Sequence, residues 1–330
     1  MNTSFILLLN CIFAALNVQA TVVSSEGGHI ANGRYVIPAG NHIVRIVPGK
    51  KAWLTVGDNT ELVIEGNVLL EGNGFSQCDI IRVTGRNVQI HGKGSIVGDK
   101  FTHTGSEGEW GMGISFRGAS NATLRGLTIK NCWGDCVYVG KKSEKITIEN
   151  CHLDNGRRQG ISVTSAQGVM IRNCTIANVH GTNPQYAIDI EPNENCTIND
   201  VLIDHVDVVN CEGGFRALTY KVDERHALIG SVEIRNCSVS AKSRYPIHLN
   251  RCRQAKVEHC IIDGTNDRPS IYANYVDHLR VRNNTLNVSV QLSSSVINKT
   301  KEIVGLDAYA PIRVDHSSTK DVVNNRIVEK

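Results

Sequence analysis

Aromatic residues make up only 5% of this 330-residue chain, and there are three methionines and three tryptophans. No block of lysine or arginine occurs, and 35 basic against 32 acidic residues leave a net charge of +3. Without a basic stripe or interleaved aromatics there is no nucleic-acid footprint. Helical periodicity is absent throughout, which argues against an α-class fold. No segment beyond residue 20 is apolar enough to span a membrane, and no paired Cys or His motif has zinc spacing, so no metal is expected.

What the chain does contain is a repeat. Seven segments share an inward apolar residue, an outward residue and a second inward apolar residue. They are Ile114-Ser115-Phe116, Val137-Tyr138-Val139, Ile161-Ser162-Val163, Ile188-Asp189-Ile190, Leu218-Thr219-Tyr220, Ile247-His248-Leu249 and Ile271-Tyr272-Ala273. They recur about every 23 to 30 residues, the range of a stacked solenoid, and each repeat is built from period-2 strands. A second series runs in phase with the first: Asn131-Cys132, Asn150-Cys151, Asn173-Cys174, Asn210-Cys211, Asn236-Cys237 and the weaker His259-Cys260. Thiols recurring at one repeat position imply a buried stack of free cysteines rather than a disulfide framework. The asparagines imply a structural ladder, because Asn tolerates the left-handed backbone and its amide both donates and accepts.

Residues 1–20 have the pattern of a signal peptide, so a secreted or periplasmic protein is expected, with no membrane association after cleavage. Residues 21–79 are expected to form an N-terminal cap and the first coils, 80–285 the regular coils, and 286–330 the last coil and a C-terminal cap that shields strand edges. The fold class expected is all-β, a single-stranded right-handed parallel β-helix. The sequence leaves the oligomeric state open.

Stacking brings outward residues of successive coils into columns, and these carry carboxylates, guanidinium groups and aromatic rings, as a sugar-binding groove requires. His103, Glu109 and Trp110 lie in a Gly-rich loop expected to overhang the groove, with Trp110 or Tyr138 stacking on a sugar. Asp135 follows a glycine at a strand start and is expected to point outward. Arg157 and Arg158 suit a bidentate clamp on a carboxylate, with Gln159 beside them, or else an ion pair to Asp135. Asp189 and Glu191, two apart on one strand, face the same way about 7 Å apart. Such a pair raises one carboxyl pKa, as a general acid needs; a calcium site or an Arg-paired structural cluster is the alternative. Asp135, two coils from Asp189, lies roughly 10 Å away by stacking distance. Side chains could shorten this towards the gap of about 6.5–9.5 Å found in inverting glycosidases.

The Val-x-Ile-x-Asn-Cys and Gly-Ile-x-Val units of residues 80–285 resemble those of the pectin-lyase-like superfamily, which includes polysaccharide lyases, glycoside hydrolases, epimerases, tailspike depolymerases and non-catalytic proteins. Gly134-Asp135-Cys136 followed by Arg158-Gln159-Gly160 resembles the polygalacturonase-like branch in part. That resemblance carries over Asp135 alone: Gly134 and Gln159 replace an acidic residue and a histidine, and a further acidic residue is missing near Met112-Gly113. The expectation is an exported enzyme cleaving a polysaccharide, by hydrolysis through Asp135, Asp189 and Glu191, with no cofactor. As a lyase it would use Lys221, Arg216 or His248 as base, with Arg158 or Ca²⁺ neutralising a uronate. As a non-catalytic solenoid it would bind glycan only.

Overall fold

Short apolar–polar alternations separated by Gly and Asn turns cannot bury their apolar edge alone, and they do so by stacking. The computed structural model describes residues 19–72, 78–106, 108–219, 228–264, 268–288, 304–305 and 311–329, in which every strand pairing is parallel. The signal-peptide pattern, Tyr220, Lys221 and much of the C-terminal cap segment lie outside the described residues. One face of the solenoid begins at Gly28–Ile30, Ala52–Val56 and Asp79–Val83. It continues through Met112–Arg117, Val137–Gly140, Ile161–Val163, Tyr186–Ile190, Gly213–Leu218, Ile247–Asn250, Ile271–Asn274 and Ile312–Asp315. The other faces carry the remaining strands in a second continuous sheet. This is the single-stranded right-handed parallel β-helix expected from the repeat.

Apolar residues stack coil upon coil inside. Ile81, Ile114, Val137, Ile161, Ile188, Phe215, Ile247, Ile271 and Ile312 occupy one column and are all buried. Core volume is balanced within a coil: bulky Phe215 shares its strand with small Ala217. One of the seven segments is out of register with the sequence alignment. Ile188 pairs with Phe215 and Asp189 with Arg216, so the matching segment is Phe215-Arg216-Ala217 rather than Leu218-Thr219-Tyr220. Leu218-Thr219 fits the apolar–polar template equally well, and only the pairing separates the two.

The Asn-Cys series divides between two corners of the coil. In one column Cys151, Cys174, Val206, Cys237, Cys260, Asn284 and Asn325 follow one another. The residue before each, from Asn150 through His205 and His259 to Asn324, has φ between 52° and 57°. In the other, Asn131, Asn155, Asn178 and Asn210 stack, and the amide of Asn155 donates to that of Asn131 at 2.8 Å. The two corners are one strand apart in each coil, so the series are not in phase. All ten described cysteines are free thiols and nine are buried.

Thiol and amide do the same task in the first column. Cys237 Sγ accepts the Val206 N–H, and Asn284 Oδ1 accepts the Cys260 N–H at 2.9 Å while its amide donates to Val257 O. Asn284→Ala should therefore orphan a buried N–H and a buried C=O, costing about 2–6 kcal/mol at 1–3 kcal/mol per group. Urea unfolding should show that loss, and Asn284→Cys should recover part of it.

Candidate functional site

At the start of each strand on the first face, two successive residues point inward. A Cβ on Gly113 would meet Ile129 and Cys132, and one on Gly160 would meet Ile176. This bend turns the preceding residue to the outer side, which is how Asp135 reaches Ser162 in the adjacent coil. Asp135 nevertheless has no exposed surface. The carboxylate thus faces outward, as expected, but is held beneath its neighbours.

Asp135 Oδ2 accepts a hydrogen bond from Ser162 Oγ at 2.6 Å and lies 3.7 Å from Arg158 Nη1, while Oδ1 has no hydrogen-bond partner among the described residues. Burial raises its pKa to about 7, with Asp189 and Glu109 adding to the rise and Arg158 and Ser162 opposing it. Arg158 also lies 3.5 Å from Glu109, whose side chain is 56% exposed. Of the two readings of the arginine pair, the ion pair to Asp135 applies to Arg158.

Arg157 has another task. Its guanidinium stacks 3.7 Å over the Trp133 ring and donates to Gly108 O at 2.9 Å, fastening the Gly-rich loop. His103 sits on the other side of that fastening. It stacks on Trp133 at 3.8 Å, bonds Asp99 at 2.7 Å, and its side chain is 2% exposed. His103 therefore belongs to the loop's anchor rather than to the groove. Trp110 remains 38% exposed and lies 6.2 Å from Tyr138, whose ring is buried under Arg117 at 4.4 Å.

Asp189 and Glu191 form the Arg-paired cluster. Arg216, one coil on, donates through Nε to Asp189 Oδ1 at 2.6 Å and through Nη2 to Asp189 Oδ2 at 2.7 Å. Nη2 also bonds Glu191 Oε2. Gln159 completes Asp189 with a donation at 2.7 Å, while its oxygen accepts the Tyr186 N–H at 3.0 Å. Both oxygens of Asp189 are thus occupied, and Gln159 is fully buried as a strut. Glu191 keeps 31% of its side chain exposed, and burial together with Asp189 raises its pKa. Arg158 acts electrostatically on both Asp135 and Glu191, lowering each. His248, two coils beyond Asp189, has its pKa lowered to about 4 by burial, Arg216 and Arg268.

Sequence reasoning missed Asp79. It is buried and accepts from Arg82 at 2.7 Å, Ser115 at 2.7 Å and Arg117 at 2.9 Å. Ile81-Arg82-Val83 fits the repeat template, so extending the alignment by one coil exposes Asp79 two positions before it. Lys221 lies outside the described residues. Among the described residues no group of three His, Cys, Asp or Glu side chains could hold a metal ion.

The profile of the right-handed β-helix region matches residues 29–183, 67–221 and 159–327. The chain belongs to this family. Two curated proteins of Bacillus subtilis (strain 168) are similar: the SPβ prophage-derived YorA, 26% identical, and YclG, 33% identical, both uncharacterized. The matches cover 52% and 32% of this chain but only 34% and 21% of those proteins. Among solved structures, the Azotobacter vinelandii mannuronan C-5 epimerase AlgE6 A-module superposes with a TM-score of 0.57 at 13% identity, covering 98% of this chain and 93% of its own. The tailspike of E. coli bacteriophage HK620, in complex with a pentasaccharide, gives 0.57 at 13% identity over 80% of this chain and 51% of its own. At such identities these likenesses concern the fold.

A carboxyl whose folded pKa lies above its unfolded value of 3.8 binds its proton more tightly in the native state. Its contribution to stability is then greatest below pH 3.8 and is lost as pH rises to about 7. Asp135→Asn should remove this dependence, raising the melting temperature relative to wild type more at pH 7.5 than at pH 5. Thermal melts across that range test it.

Proposed function

We propose that the chain is a carbohydrate-active enzyme that cleaves a glycosidic bond by acid–base catalysis, with Asp135 as the proton donor. The observation that carries this reading is a buried carboxyl with a pKa of about 7, one oxygen of which has no hydrogen-bond partner among the described residues. A group that holds its proton near neutrality and lacks an acceptor for it is suited to give that proton to a leaving oxygen. The similarity in fold to a pentasaccharide-binding tailspike and to a mannuronan epimerase supports a glycan as the ligand.

In this mechanism the Asp135 proton passes to the glycosidic oxygen as its bond to the anomeric carbon breaks. A water oxygen bonds to that carbon and gives its proton to Glu191, the carboxylate of the pair that keeps an exposed edge. Asp189 is a positioning residue: saturated by Arg216 and Gln159, it holds Arg216 against Glu191. Arg158 bridges Glu109 and Asp135, so substrate that engages Glu109 or Arg158 opens the way to Asp135. Trp110 and Arg117 offer a ring and a cation at the upstream end of the groove. The signal-peptide pattern of the N-terminal segment supports a location outside the cytoplasm.

A second reading, β-elimination on a uronic acid, draws on one observation: His248 is neutral at pH 7 and sits among arginines, as a base beside carboxylate-binding cations would. Its product carries a conjugated double bond with ultraviolet absorbance, which hydrolysis does not form.

Incubation with a panel of polysaccharides should release reducing ends without that absorbance. Asp135→Asn should lower the rate by about 10²–10⁴-fold. For the wild type, kcat/KM should fall as pH rises through about 7, as the donor loses its proton. Wild-type turnover by Asp135→Asn, or binding without any product, would overturn the assignment.

A further inference from the structure

Downstream of the carboxylate cluster the outer face opens into a cavity of about 340 Å³, with four arginines in its lining: Arg216, Arg244, Arg251 and Arg268. Asp189 and Glu191 balance Arg216. Among the described residues, no carboxylate lies within ion-pair distance of the other three. Arg244 is held by the Asn183 side-chain oxygen at 2.5 Å and Arg268 by Ser243 O at 3.1 Å, while Arg251 stacks 4.9 Å over Tyr275. Neutral partners thus fix three guanidinium groups without cancelling their charge. A concave surface lined by one sign of charge concentrates the opposite sign.

Two further observations concern what the cavity holds. Tyr245, His248 and Tyr272 form a three-ring cluster, with centroids 4.8, 5.1 and 5.3 Å apart, and two of these rings, Tyr245 and His248, line the cavity. In addition, Asn250 Oδ1, Thr219 Oγ1 and Arg244 Nε are buried without hydrogen-bond partners among the described residues. Orphaned buried polar atoms are costly, and a ligand rich in hydroxyls would satisfy them.

We propose that this cavity is a binding site for a glycan whose sugars carry anionic groups, either carboxylate or sulfate ester. Arg244, Arg251 and Arg268 take the anionic oxygens, Tyr245 and His248 offer ring faces to the sugar, and Asn250 accepts from a hydroxyl. Arg216 lines the cavity and also bonds Glu191, so a chain seated there continues towards the carboxylates. The proposal rests on the glycan reading above and names the substrate class for the same face.

Binding is measured by calorimetry on full-length Asp135→Asn protein, which separates affinity from turnover. The probes are oligogalacturonate, sulfated dextran oligosaccharide, unsubstituted dextran oligosaccharide and a single-stranded oligonucleotide. At least one of the two anionic glycans should bind tenfold or more tightly than the neutral one, and the pair compared tells carboxylate from sulfate. That affinity should drop with added salt. It should fall at least tenfold in Arg244→Gln/Arg251→Gln and in Arg268→Gln, whose exposed side chain makes the second variant safe for folding. Exposed Arg253→Gln, on another face, should leave it unchanged. Equal affinity for the neutral glycan, losses under twofold in both variants, or tighter binding of the oligonucleotide would overturn the proposal. Failure of the acid–base reading shows separately, as unimpaired cleavage by Asp135→Asn.

Discussion

Backbone pairing about 4.8 Å per coil governs everything on the outer face, because it forces side chains of successive coils into contact whatever their charge. A carboxylate in such a column needs a cation one coil away or must hold its proton. The chain uses both solutions. Asp79 is clamped by Arg82 and Arg117, and Asp189 by Arg216 from the following strand. Asp135, between them, has only a 3.7 Å approach from Arg158 and retains its proton towards neutrality. The chemistry assigned to the face follows from where this compensation is incomplete.

The fold was legible because period-2 alternation survives in almost every coil, and an inward Ile or Val can be recognised without knowing its neighbour. The register was less legible. Phe215-Arg216-Ala217 and Leu218-Thr219-Tyr220 satisfy the same pattern, and the choice depends on pairing with Ile188, a long-range fact. That slip hid the contact between Arg216 and Asp189, since it set Thr219 in the place of Arg216. Asp135, Asp189, Glu191, Arg158 and Gln159 were correctly gathered on neighbouring coils. Their exposure was not legible: outward on a strand does not mean open to solvent when arginines, glutamine and a folded loop lie across it. Loop residues were the hardest to place, because His103 and Trp110, seven residues apart, have opposite surroundings.

The Asn-Cys recurrence shows a different limit. A dipeptide repeated along a solenoid reads as one ladder, yet two corners of the coil independently favour a residue with positive φ followed by a small one. The replacement of Cys by Asn at positions 284 and 325 shows what the column can supply, an acceptor for the backbone N–H of the adjacent coil. A thiol accepts weakly and packs well; an amide accepts strongly and brings a donor that also needs a partner.

The thiol column also bears on the chemistry of the surroundings in which the chain matures. Nine buried cysteines that bond backbone groups while remaining reduced require no oxidant and no isomerase to reach the native state. Oxidation works against them, since a sulfenic acid at Cys174 or Cys237 introduces a polar oxygen into a column packed for a bare sulfur. Completed coils screen the buried sulfurs from peroxide in solvent. The moment of greatest redox vulnerability is therefore the interval before the coils close.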